Sequence, residues 1–139
     1  MSLLRNRFGL ASAAVVALTA VGGIAVWPRL PAKTAIHFSA SGTPDIYVSK
    51  SVGVALLPAV MALTLLILDA AFRLDPPATP RIGGVVAVAT MAFMGSIHGL
   101  VLGWNLGYAV PFDLVLVGSL VWALALVAYA VRAERRTTA

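Results

Sequence analysis

Cysteine is absent from this 139-residue chain, which excludes disulfide staples, thiolate metal sites and cysteine nucleophiles. Charge is scarce as well: 11% of residues are Asp, Glu, Lys or Arg, against 60% hydrophobic. A water-soluble domain could not cover its surface with so few polar groups, and the mean hydropathy of +0.97 points the same way. The chain reads as an integral membrane protein in contact with a lipid bilayer. Its formal charge of +5 comes from arginines at the ends of apolar runs, not from a basic block with interleaved aromatics. That pattern speaks of topology and lipid headgroups and excludes nucleic acid as a partner. No H-E-x-x-H, glycine-rich phosphate loop or G-x-S-x-G is present. Ser39, Ser41 and Ser96 read as ordinary turn or helix serines, so no catalytic residue, cofactor or enzyme activity is expected.

What is present is four long apolar runs, predicted to span the membrane over about 8–27, 51–72, 82–104 and 112–131. At 1.5 Å per residue each is long enough for a hydrocarbon core of about 30 Å. The first run follows a short basic start but exceeds a signal-peptide core of about 7–15 residues, so it is read as a span closed by Trp27 and Pro28. Pro58 lies inside the second span, where it removes a donor and frees the Val54 carbonyl; a kink is expected there. Asp69 and Arg73 are spaced for an i,i+4 pair at the interface. The connector Asp75–Arg81 is short and proline-rich. Arg5, Arg7, Arg73, Arg81, Arg132, Arg135 and Arg136 would share one side, and Arg29, Lys33 and Lys50 the other. The positive-inside rule therefore places both termini in the cytoplasm of a plasma-membrane protein.

The segment Pro28–Lys50 breaks the apolar pattern and is the one place where polar chemistry concentrates. Thr34-Ala35-Ile36-His37-Phe38 alternates, placing Ile36 and Phe38 on one face of a short strand and His37 on the other. Gly42, Pro44 and Asp45 supply a turn, and Ile46-Tyr47-Val48 a return strand. Ser49 or Ser51 can cap the helix that follows. The predicted fold is all-α and integral to the membrane: a four-span antiparallel helix bundle forming one domain over 1–139, with a short structured extracellular cap over 28–50.

The order of proline, Ile36-His37-Phe38, Gly42-Thr43-Pro44-Asp45, an aromatic at Tyr47 and Ser49-Lys50 entering a helix resembles the N-terminal membrane domain of unknown function found in SdpI-type immunity proteins. The resemblance covers roughly residues 10–72. It implies a membrane protein that recognises a toxic peptide at the outer face, with an immunity or signalling role and a cytoplasmic repressor held by its basic ends. His37, Asp45, Tyr47 and Lys50 would then serve the cap, with His37 and Asp45 as the pair that holds its shape.

Other residues leave further readings open. Gly95, Gly99, Gly103 and Gly107 recur every four residues and form a stripe that lets a neighbouring backbone approach. The stripe is expected to pack within the bundle; alternatively it joins protomers of a homo-oligomer or docks an accessory subunit into a larger membrane complex. His98 lies beside it, about 9 Å below Trp104 at 1.5 Å per residue. A histidine so placed ordinarily hydrogen-bonds a neighbouring carbonyl or carboxylate. The sharper reading brings His37, Asp45, His98 and Asn105 or Asp113 together at the outer face, but no ligand-spacing motif announces a metal and none is expected. A minimal transporter or channel subunit would instead line its path with Pro58, Asp69 and His98. Trp104, Asn105 and Tyr108 suit the headgroup level, and Asp113 the N-terminal cap of the fourth span.

Overall fold

The computed structural model describes residues 3–138. Four helices dominate it: α1 (Arg7–Val26), α2 (Lys50–Leu74), α3 (Pro80–Asn105) and α4 (Phe112–Thr138). Each is long and apolar enough to cross a membrane. Between α1 and α2 lies an antiparallel hairpin of β1 (Lys33–Phe38) and β2 (Pro44–Ser49). The architecture is the expected one, with helix ends displaced by a few residues.

Local chemistry explains the ends. Asn6 caps α1 by accepting from the amides of Phe8 and Gly9, and Ser49 caps α2 by accepting from Val52. Pro80 opens α3, where a missing N–H costs nothing. At the other end of α3, the Gly107 amide donates to the Trp104 carbonyl and the Tyr108 amide to that of Gly103. This is the Schellman arrangement, and it requires the left-handed backbone of Gly107, φ 94°. Gly107 therefore ends α3 and is no part of a helical stripe. Asp113 sits in the first turn of α4, where the helix dipole favours it, and α4 itself runs past the expected Val131. α2 continues through Pro58, which is buried.

The core is made by α1, α2 and α3. Leu3, Met61, Leu65, Ala87 and Met91 form its lower part, with Phe8 and Phe72 packed against them. Leu30, Val54 and Leu102 form a smaller cluster beneath the hairpin. The α1–α3 approach depends on absent side chains: a Cβ at Gly84 would collide with the Phe8 ring, and one at Gly95 would stand 2.8 Å from Thr19 Oγ1. α4 is different. Beyond Phe112 none of its described residues is buried, and it holds to α3 through the stacked rings of Phe93 and Trp122, 4.2 Å apart.

One end of the bundle is closed by the short turn Leu3–Arg5. Leu3 is wholly buried, and the Leu4 amide donates to Asp69 Oδ1 at 3.1 Å. Asp69 does pair with Arg73, at 2.5 Å in the last turns of α2, and its carboxylate is buried, 5% exposed. The Leu4 amide adds a second donor, as a buried carboxylate needs.

Candidate functional site

The hairpin is short and two-stranded, and by itself would be marginal. It is held from two sides. Thr34, fully buried, packs on Gly53 of α2, where a Cβ would stand 2.9 Å from that of Thr34. On the adjoining residue, the Asn105 side chain accepts from the Ala35 amide at 2.8 Å and donates to the Ala35 carbonyl at 2.9 Å. A second Asn105 proton goes to the Val101 carbonyl at 2.8 Å. The carboxamide thus stands where a neighbouring strand would, closing the outer edge of β1. Because the Ala35 N–H and C=O turn away from β2, those of its partner Tyr47 turn away from β1.

Two irregularities shape the hairpin. Ala35 faces Tyr47, His37 faces Ile46 and Phe38 faces Pro44, so Ile36 and Asp45 each lack an opposite residue. Such bulges re-aim side chains. The expected alternation holds from Ile36 to Phe38, with His37 exposed between two half-buried neighbours. It fails at Thr34 and Ala35, both buried, because α2 covers one face and α3 the other. Phe38 stacks on Phe112 at 3.7 Å and meets the Trp104 ring edge-on at 5.2 Å. These rings tie the hairpin to the start of α4.

His37 Nδ1 and Asp45 Oδ1 lie 2.6 Å apart, both side chains about half exposed. The expected pair therefore forms. Lys50 Nζ donates to the Trp27 carbonyl at 3.4 Å and lies 5.3 Å from its ring centre, so it fastens the hairpin's exit to the end of α1. Tyr47 and Ile46 are exposed, at 51% and 48%. Beside the hairpin, a groove of about 370 Å³ runs between β1, α3 and α4, with Ile36, His37 and Phe38 on one wall and Phe93, Ile97 and Leu116 on the other. It is an apolar slot with one imidazole at its edge.

The wider convergence does not occur. His37 borders the groove on one side of α3, whereas His98 lines a cavity on another side, between α3 and α1. Asn105 binds backbone, and among the described residues no three His, Asp or Glu side chains gather as metal ligands would. His98 is 3% exposed, yet among the described residues its Nε2 has no hydrogen-bond partner; the carbonyl or carboxylate expected for it is not found among them. The glycine stripe divides too. Only Gly95 is packed against a neighbour, while Gly99 and Gly103 have nothing within 4 Å of where a Cβ would be. Their intramolecular packing is thus not found. Sequence reasoning missed the anchoring roles of Thr34 and Gly53. A small residue one turn into α2 was the available signal.

A protein-family profile described as a domain of unknown function, DUF1648, matches residues 14–62. The matched stretch runs from within α1 through the whole hairpin and into α2. No curated protein and no solved structure matches the chain.

Proposed function

We propose that this multi-pass membrane protein is a recognition device of the SdpI-like kind, whose hairpin takes an extended peptide at the outer face of the plasma membrane and confers immunity or relays a signal. The observation that carries this reading is the asymmetry of the hairpin's two edges. β1 is closed by Asn105, while among the described residues β2 borders no third strand. Its outward amide and carbonyl at Tyr47 can add a strand, with Ile46 and Tyr47 as apolar contacts. Backbone pairing supplies affinity for any extended chain. The adjoining apolar groove and the His37–Asp45 pair supply selectivity.

The rigidity of the mount supports recognition as well. A hairpin fastened by Asn105, Lys50 and the Thr34–Gly53 contact loses little freedom on binding, so less of the interaction energy goes into ordering it. The cytoplasmic placement of the termini, expected from arginine positions, puts this edge where a secreted peptide arrives.

The test has two parts. Since the chain has no cysteine, Ser41→Cys gives a single thiol; in intact cells a membrane-impermeant maleimide should label it, and protection until lysis would invert the orientation and sink the reading. Cells expressing the protein are then challenged with a panel of membrane-active peptide toxins. Survival should rise against at least one, persist in His98→Leu and be lost in Tyr47→Pro, which deletes an outward amide without breaking a rung of the hairpin. Equal survival of Tyr47→Pro would show that the open edge is not the docking surface.

A further inference from the structure

At the end of α4 far from the hairpin, two positive charges share one face of the helix. Arg132 and Arg136 stand one turn apart, and among the described residues neither has a carboxylate partner. The acid between them in sequence, Glu134, is two residues from each and therefore turns to another face. It accepts there from the Ala78 amide, at 3.0 Å to each carboxylate oxygen. Tyr129 precedes Arg132 by three residues and Arg136 by seven, a spacing that adds its phenol hydroxyl to the arginine face. All three side chains line one open hollow of about 420 Å³, and the rest of its wall is Ala125, Ala128 and Ala133.

Guanidinium groups held a turn apart repel each other, and an anion that bridges them relieves that cost. The position of the hollow decides which kind of anion can reach it. Trp122, stacked on Phe93, and the half-buried Leu126 and Ala130 mark the side of α4 that faces the bundle. The hollow flanks that side and so opens to lipid. Ala125 and Ala128 belong to the apolar run, whereas Arg132 and Arg136 follow directly after it, at headgroup level. We propose that the hollow binds an anionic phospholipid: its phosphate bridges Arg132 and Arg136 and accepts from the Tyr129 hydroxyl, and its acyl chains lie on Ala125 and Ala128. Arginine offers donors only, which suits phosphate oxygens. A phosphatidylcholine headgroup carries a cation of its own towards two others, so the net charge of the lipid sets the preference. A soluble phosphate would gain nothing from the apolar end of the hollow.

Native mass spectrometry of the purified chain tests this, with phosphatidylglycerol and phosphatidylcholine of identical acyl chains supplied in equal amounts. Phosphatidylglycerol should stay bound under activation that strips phosphatidylcholine. Arg132→Gln combined with Arg136→Gln should lower that preference about tenfold or more, because both contacts to the anionic headgroup are lost. Arg5→Gln combined with Arg7→Gln removes the same charge at the same end of the bundle and should leave the preference within about twofold. Tyr129→Phe deletes a hydroxyl alone and should weaken retention about threefold. Equal retention of the two lipids would overturn the proposal, as would unchanged retention in both the Arg132/Arg136 and the Tyr129 variants. Equal losses in the two double variants would also overturn it, by reducing the effect to net charge. Full displacement of phosphatidylglycerol by inorganic phosphate at the same concentration would assign the arginines to a soluble anion and overturn it too.

Discussion

The two histidines of this chain stand in opposite circumstances. His37 is half exposed at the hairpin and has a partner 2.6 Å away in Asp45; His98 is buried between helices and its Nε2 has none among the described residues. At the hairpin the chain satisfies its polar groups even where water could do so: Asn105 closes an edge, Ser39 and Thr43 bond across the turn, and Lys50 reaches a carbonyl. Between the helices, where an unmet group costs most, His98 Nε2 is enclosed without a hydrogen bond to any described residue. A region whose bonds are complete has a fixed shape to present.

The strongest way to break this contrast is to remove the hairpin's anchor. Asn105→Leu strips both bonds from the buried Ala35 peptide, and the expected loss is about 3 kcal/mol in thermal unfolding, with rapid amide exchange at Ala35. A slow-exchanging Ala35 in the variant would mean that the hairpin is held by something else. Gly53→Val drives a side chain into Thr34 and should cost about 1–3 kcal/mol, again with the hairpin loosened in exchange measurements. No change in melting temperature would show that the seat on α2 is not tight.

His98→Leu should have the opposite sign. It removes a buried nitrogen without a partner, so stability in detergent should hold or rise by about 1 kcal/mol. A fall of comparable size would reveal a polar partner for Nε2 and abolish the contrast. The smallest effect belongs to His37→Ala: the pair is half exposed, so its loss should cost under about 1 kcal/mol and shrink further in high salt. A larger, salt-independent loss would make this pair, and not Asn105, the hairpin's main support.

Much of the fold was legible because the bilayer imposes a long apolar run on every span, and because turn residues such as Gly42 and Pro44 interrupt a strand pattern in a recognisable way. The His37–Asp45 pair was legible for the same local reason, since both flank one turn. The anchors were not. Asn105 reads in sequence as a headgroup-level residue, and its bond to Ala35 joins positions far apart in the chain. The glycine stripe misled because spacing of four residues predicts a shared face only while the helix lasts. α3 ends at Asn105, Gly107 belongs to its cap, and Gly99 and Gly103 face empty space.

The sequence by itself determined the number of spans, the hairpin between the first two and the pairing within its turn, because each depends on neighbours along the chain or on the solvent the chain must enter. Only the tertiary structure decided which edge of the hairpin is closed, that the Leu3–Arg5 turn docks on Asp69, and that His98 Nε2 is buried without a partner among the described residues. These depend on how parallel neighbours α1 and α3 are set against each other. That setting follows from the shapes of side chains, and of the side chains glycine lacks, packed across distances no local pattern records.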